Sequence, residues 1–452
     1  MTFRQEHPKE QLNRRGLATL AERIPSAPPF LASGEVSAVS TSLVSTALEE
    51  VRIGDLCFID RKGESQIPAE VISFSDRGAL LAPFDSVQGI GPRATVTTSG
   101  SPPVLKLPPN LEGGIYDCLG NDLLNSGSQE RRCTMALPLE LAPPPPLTRT
   151  PITEKLITGI RAIDTCCPIG YGQRVGLFAG PGVGKSTLLG MIARTAQVDR
   201  VVVALVGERG REVKEFVEEI LGPDGRRRSV VIVSTSDEKP VRRKLAPFTA
   251  TRIAEFYRDR GERVLLLVDS LTRTARAIRD LSLIAGELPV RQGYTSSVFD
   301  QLPRLIERAG TLQDTTITDI YTILTSYDDT QDILSEEAKS LLDGHFVLSR
   351  ELAEQGVYPA IDLTCSVSRL ADKLHRGEEG GLAGSVLSIL SRLKRDKDLA
   401  ILGGRPDREL QRCLDLEPNL ENFLSQGAQP DLETAKQFEQ LRRIVGGQGD
   451  EG

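Results

Sequence analysis

Three textures of apolar and polar positions follow one another along the 452 residues. From Pro25 to about Gly100, short runs such as GEVSAVS, DLCFIDR, AEVISFS and GALLAPF are separated by Gly, Asp, Ser and Pro. Short strands at even spacing predict a small β-barrel or sandwich. The stiff segment LAPPPPLTRTP (Leu141–Pro151) leads into a second texture, in which strand, glycine turn and helix repeat. There VVVALVG, SVVIVSTS, RVLLLVD and DIYTILT are continuous apolar runs, as strands buried on both faces require. Helical spacing fills the gaps, for example in TATRIAEFYRDRG (Thr249–Gly261), with Gly261 as its stop signal. The pattern predicts an α/β unit: a mainly parallel sheet sandwiched by helices. Beyond about Asp372 only helical spacing remains, in SVLSILSRLKRDKDLAIL and DLETAKQFEQLRRIV. The expected division is a short charged helix over 1–25, able to dock a partner, with Leu12, Leu17, Leu20 and Ile24 roughly on one side. A β-barrel over 26–100, the α/β core over 101–372 and a helical domain over 373–452 complete it.

Composition changes this picture only at the edges. The formal net charge of −7 and pI of about 5.4 leave no global basic footprint of the kind nucleic-acid binding produces. Aromatic residues make up 4%, and the barrel region shows no basic aromatic cluster for stacking bases. No apolar run approaches the roughly 18 residues needed to span a bilayer. The amino terminus also lacks the apolar core of a signal peptide, so a cytosolic chain is expected. Seven Cys at 57, 118, 133, 166, 167, 365 and 413 show no zinc spacing and read as reduced, mostly structural thiols.

The chemistry concentrates in LFAGPGVGKSTLLGMIAR (Leu177–Arg194). A phosphate cradle needs backbone N–H groups converging at a helix N-terminus, with a Lys reaching the β- and γ-phosphates. Gly180, Gly182 and Gly184 would supply the turns, Lys185 the charge and Ser186 a hydroxyl for Mg²⁺. Pro181, Val183 and Thr187 complete the candidate loop. Pro181 precedes the amides of Gly182 to Ser186, so its missing N–H removes no needed donor. Asp269, ending RVLLLVD, is the expected second anchor of Mg²⁺, and Arg273 four residues on could point back to the same edge. Glu208 in LVGERGREV, with Arg209 beside it, would orient and polarise an attacking water. A surface salt-bridging turn is the competing reading of GERGRE taken alone.

From about residue 25 to 445 the chain resembles the ATPases of type III protein export, flagellar and injectisome, which are related to the rotary ATP synthase catalytic beta subunit. The resemblance is carried by RTPI (Arg149–Ile152), TGIRAID (Thr158–Asp164), the Leu177–Arg194 loop, VGERGREVKEFVEEILGPDGRRRSVVIVSTSD, DSLTR, LPRLIERAG, LDGHFVLSR and YPAIDL. It implies a RecA-like P-loop core between the barrel and the helical domain. It also implies ATP hydrolysis with Mg²⁺ at Lys185, Ser186 and Asp269, with Glu208 activating water. Arg209 and Arg273 match arginines near the γ-phosphate, and Tyr358, with Pro359 beside it, matches the aromatic that stacks on adenine. Arg369 in CSVSRLAD matches an arginine finger that such homohexamers place in the neighbouring subunit's site. Further implied are a central stalk protein, a peripheral regulator, an export gate, chaperone–cargo complexes and a place at the cytoplasmic face of the bacterial inner membrane.

Three departures stand out. GYTSS (Gly293–Ser297) replaces the family's usual GYPPS, DDTQDI (Asp328–Ile333) ends in Ile333 where Pro is usual, and Thr274 stands where Tyr is usual. In family members the first two loops face the central channel, so a diverged stalk partner is expected. A rotary synthase subunit, a Rho- or RecA-like nucleic-acid motor and a degenerate scaffold are the alternatives. Intact Lys185, Glu208 and Asp269 weigh against the last of these.

Overall fold

The computed structural model describes residues 32–76, 78–124, 135–325, 332–401, 405–427 and 429–446. The helix expected over 1–25 and residues 328–331 of the DDTQDI loop lie outside them. Six strands open the described chain: β1 (Ser33–Val39), β2 (Val44–Thr46), β3 (Leu56–Ile59), β4 (Ile67–Ser75), β5 (Gly78–Pro83) and β6 (Thr95–Thr98). They close into a barrel in the order β1-β2-β5-β4-β3-β6, so no edge is left unpaired. The register sets inward residues opposite one another, Cys57 to Ala69 and Ile59 to Ile67, and these four are fully buried. β2 and β6 are short and polar, which is why they carry no apolar run in the sequence.

β7 (Val104–Leu107) pairs with β9 (Met135–Pro138), and between them in the chain lies β8 (Ile115–Tyr116). β8 joins the central sheet as an edge strand beside β14, where the sequence pattern gives no strand. β10 (Lys155–Leu156) and β11 (Ile169–Gly170) form a small antiparallel pair. β12 (Arg174–Ala179) follows, and β13 (Arg200–Glu208), β14 (Ser229–Thr235) and β15 (Val264–Asp269) are three of the four runs legible as buried strands. After the small hairpin of β16 (Pro289–Arg291) and β17 (Tyr294–Thr295) come β18 (Gly310–Leu312), β19 (Thr315–Leu324), β20 (Gly344–Val347) and β21 (Val367–Ser368). The sheet order is β21-β20-β12-β19-β15-β13-β14-β8, parallel from β20 to β8, with β18 paired antiparallel to β19.

Alternation along β13 shows why the runs are continuous. Val202, Ala204 and Val206 enter the apolar cluster shared with helices Pro240–Arg258, Leu271–Ile284 and Ser296–Ile306. Val201, Val203 and Leu205 enter the cluster on the opposite face, with helix Lys185–Thr195. Val386, Leu420, Phe423, Phe438 and Leu441 of helices Glu379–Ile401, Arg408–Leu424 and Thr434–Gly446 belong to that second cluster too. The carboxyl-terminal helices therefore share a core with the sheet.

The helix expected over Thr249–Gly261 instead begins at Pro240 and ends at Arg258. Pro240 suits the first helical turn, where its missing N–H has no partner to lose. Pro247 lies inside and removes one backbone bond, yet Leu245, Ala246, Ala250, Ile253 and Ala254 are buried around it. That packed face outweighs the local preference. At the barrel end, Arg242 donates to the Phe84 carbonyl at 2.9 Å and pairs with Asp85 at 2.8 Å and Asp117 at 3.1 Å. It fastens the helix to the barrel. Cys57, Cys118, Cys166, Cys167 and Cys413 are buried free thiols and Cys365 is exposed, while Cys133 lies outside the described residues.

One core position is costly. Asp319 on β19 is completely buried, and neither carboxylate oxygen makes a hydrogen bond within the distance and angle limits of a good one. Burial pushes its carboxyl well above the usual range, against a smaller opposing pull from Arg174. The folded chain thus keeps a proton that the unfolded chain has lost above pH ~4. Stability is lost as pH rises from there toward the folded-state value. Asp319→Asn removes that term. The margin of its unfolding free energy in urea over that of the unsubstituted chain should widen as pH rises above ~4, by up to about 1.4 kcal/mol per pH unit. A margin constant with pH would exclude a buried neutral acid.

Candidate active site

β12 ends at Ala179, and Gly180 to Gly184 turn the chain into helix Lys185–Thr195. Gly182 (φ +77°) and Gly184 (φ +86°) take the left-handed conformation that glycine tolerates without strain. Gly180, expected to share that task, keeps an ordinary φ, so two glycines suffice. Pro181 is exposed on the loop, whereas Val183 is buried in the cluster below and pins it to the sheet. Ser186 and Thr187 follow Lys185 in the first helical turn, whose N-terminus has no side-chain cap. Its N–H groups and dipole therefore face the loop as an anion site.

Lys185 reaches across the strand ends. Its Nζ lies 2.5 Å from Asp269 Oδ1 and 3.5 Å from Glu208 Oε1. Asp269 is only 2% exposed, and the Thr322 hydroxyl donates to the same Oδ1 at 2.7 Å. Because β19 lies between β12 and β15, a residue at the end of β19 can orient the acid that ends β15. Glu208 ends β13 and is nearly buried. Arg273 donates to its Oε2 at 3.2 Å and to the Gly207 carbonyl. Gly207 has φ +69°, and a Cβ there would lie 2.7 Å from Arg273 Cδ, so only glycine lets the arginine stem lie so close. Ser270 caps the helix that carries Arg273, accepting from the Arg273 N–H at 3.3 Å. Burial pushes the Glu208 carboxyl up to about 7, reinforced by the Asp269 charge and opposed by Lys185. A carboxyl poised there can exchange a proton near neutrality.

The remaining candidates are placed around this cluster. Tyr358 is 44% exposed, and its ring sits 3.4 Å from where a Gly184 Cβ would be, at the shoulder of the loop. Its carbonyl accepts from Gln426 N–H at 2.6 Å, and Pro359 follows. Arg209 is not brought to the cluster. Its side chain is exposed and lies 3.6 Å from Glu212. Arg369 is also apart: it follows β21, its N–H donates to the Asp343 carbonyl at 3.1 Å, and its guanidinium donates to the Lys339 carbonyl at 2.9 Å. Asp343 immediately precedes β20, at the end of the parallel strands opposite the loop. Two polar residues at this site went unread in the sequence. Thr322 was hidden inside the apolar run DIYTILT, and Glu212 was one of several charges in GERGREVKE.

The donor types fit Mg²⁺. The Ser186 hydroxyl and Asp269 carboxylate are hard oxygen donors, and Asp269 already draws a cation, the Lys185 ammonium. Among the described residues no group of three or more His, Cys, Asp or Glu is placed to hold an ion unaided. Nucleotide phosphates and water would complete the shell.

Comparison with known proteins accounts for this geometry. Residues 159–368 match the ATP synthase alpha/beta family, nucleotide-binding domain. The chain is 41% identical over 399 residues to the flagellum-specific ATP synthase of Bacillus subtilis, covering 87% of this chain and 91% of that one. It is 41% identical over 397 residues to the type 3 secretion system ATPase of Xanthomonas euvesicatoria, covering 87% and 89%. The assembled ATPase EscN from the enteropathogenic E. coli type III secretion system has a TM-score of 0.85 and 38% identity, covering 91% of this chain and all of that one. Similarity of this extent, over the barrel, the loop and the carboxyl-terminal helices alike, means that the chain belongs to the family of flagellum-specific ATP synthases and type 3 secretion system ATPases.

Proposed function

We propose that this ATPase works as a homohexameric ring at the cytoplasmic face of the bacterial inner membrane, energising protein export through a flagellar or injectisome apparatus. One observation supports the catalytic assignment above all. Lys185, Glu208, Asp269 and Arg273 form one connected set at the carboxyl ends of β12, β15 and β13, where a doubly wound sheet binds ligands. Lys185 leaves Asp269 to meet the β- and γ-phosphates, over the loop amides from Gly182 to Ser186. Ser186 and Asp269 would hold Mg²⁺, which would supply charge neutralisation at the phosphate oxygens. Thr322 keeps Asp269 oriented. Glu208 accepts a hydrogen bond from the attacking water and takes its proton as the oxygen bonds to the γ-phosphorus. Arg273 faces the same carboxylate and stabilises charge developing on the γ-phosphoryl group. Tyr358, with Pro359, stacks on the adenine. Arg209 would have to leave Glu212 to reach the phosphate.

Arg369 is assigned to a neighbour's site. Its position at the far end of β20 from the chain's own loop supports that reading. EscN has been solved both assembled and in complex with its central stalk EscO. By analogy we infer a ring and a stalk here. Leu288 and Val290, 80% and 58% exposed on the hairpin before GYTSS, offer such a stalk an apolar contact. Ile333 N–H donates to Gln292 Oε1 at 3.0 Å, joining the two channel loops whose sequences depart from the family's usual ones. A stalk partner that has diverged with them is the corollary. A peripheral regulator, an export gate and chaperone–cargo complexes are the further partners proposed. Among the described residues no helix is long and apolar enough to cross a membrane, so the association proposed is peripheral.

Two measurements test this. Glu208→Gln keeps size and loses basicity, and should lower the hydrolysis rate by about 10²–10⁴-fold while nucleotide still binds. A rate within twofold of the unsubstituted enzyme would remove Glu208 from its role. Specific ATPase activity should rise sigmoidally with protein concentration, and Arg369→Ala should flatten the curve at a low value about 10³-fold or more down. Activity independent of concentration would sink the finger.

A further inference from the structure

A nucleotide is held at two ends, and it gains from both only when their spacing matches its own. Here the phosphate cradle belongs to helix Lys185–Thr195, whereas Tyr358 lies on the segment that follows β20 and the short helix Arg350–Glu354. The Tyr358 ring packs beside Gly184, but nearly half of the residue is exposed, so that contact holds it on one side only.

The second hold comes from the carboxyl-terminal domain. Gln426, two residues past helix Arg408–Leu424, is buried, and its N–H donates to the Tyr358 carbonyl at 2.6 Å. Its side-chain Oε1 accepts from Arg161 N–H at 3.0 Å. Its Nε2 donates to the carbonyls of Gly159 at 2.7 Å and Gln429 at 3.0 Å. One of these partners is a donor and two are acceptors, which an amide satisfies. A carboxylate or a hydrocarbon in its place would leave buried groups unpaired. Gly159 is tied in turn to the cradle. It takes φ +80°, and a Cβ there would lie 3.0 Å from Thr195, the last residue of the loop helix. The Thr195 hydroxyl donates to the Thr158 carbonyl. Arg161 braces the same segment, donating to the Ser425 carbonyl at 2.8 Å with its guanidinium over the Phe423 ring.

We propose that Gln426 is a positioning residue that fixes the span between the base platform and the phosphate cradle. The inference rests on the reading of Tyr358 as the aromatic that stacks on adenine. Gln426 acts through its two neighbours: its backbone holds Tyr358, and its side chain holds the Thr158–Gly159 turn against which the loop helix ends. Loosening it costs affinity for a whole nucleotide and spares a ligand that fills the cradle alone. Through this one residue the carboxyl-terminal domain bears on nucleotide affinity, although the catalytic set lies wholly in the core.

The test is calorimetric titration of the full-length enzyme, in Mg²⁺, with ADP and separately with inorganic pyrophosphate, which has phosphates and no base. Gln426→Met keeps the length of the side chain and loses its amide. The Kd for ADP should rise about tenfold or more, and that for pyrophosphate should stay within about twofold. In a Tyr358→Ala background the same substitution should change the ADP Kd by less than about twofold, because the platform it holds is gone. The proposal is overturned if Gln426→Met binds ADP as tightly as the unsubstituted enzyme. It is equally overturned if both ligands are lost together, as a general structural role requires, or if the two substitutions add in full. Tyr358→Ala alone separates the two readings. Unchanged ADP affinity there removes the platform and the brace with it, whereas a weakened Tyr358→Ala with a normal Gln426→Met removes only the brace.

Discussion

A carboxylate as deeply buried as Asp269 cannot stand alone, and much of the site follows from how its charge is answered. Lys185 meets it at 2.5 Å and Thr322 at 2.7 Å, one from the loop after β12 and the other from β19. These contacts need β12, β19 and β15 to end side by side, which the sheet order provides. Removing the Lys185 ammonium would leave the Asp269 carboxylate desolvated with no cation against it, a loss of about 3–5 kcal/mol for buried pairs in general. The ion pair is thus both a tie between the loop and the sheet and a reserve of two charges. On the function proposed, an incoming triphosphate with a cation would exchange one pair of opposite charges for another.

The same sheet order explains what the sequence made legible. Strands buried on both faces must be apolar at most positions, so β13, β14, β15 and β19 stand out as runs, and the residues closing two of them, Glu208 and Asp269, stand out with them. The loop declares itself by glycine, because backbone that wraps an anion has to leave ordinary φ values at Gly182 and Gly184. The barrel was readable from its longer strands alone. What stayed hidden has equally physical causes. β8, β20 and β21 lie at or next to the sheet margins and are two to four residues long, too short to establish a period. Helix Pro240–Arg258 runs through Pro247 because tertiary burial overrides a local rule that the pattern can only apply locally. Thr322 meets Asp269, a neighbour distant in sequence, and no spacing betrays it.

The role proposed for Arg369 in a neighbour's site also constrains assembly. Arg369 lies beside Asp343 at the amino end of β20, whereas the loop lies at the carboxyl end of β12. A single chain cannot fold these two ends of its sheet together. If Arg369 completes a site, then the surface that donates it differs from the surface that receives it, and every contact between copies is head-to-tail. Such heterologous contacts either propagate without limit or close into a ring. A two-fold dimer, in which each patch meets its own copy, would leave both guanidiniums facing the wrong surface. On that proposal, the position of one arginine favours head-to-tail over isologous pairing and would tie the chemistry of each site to its neighbour.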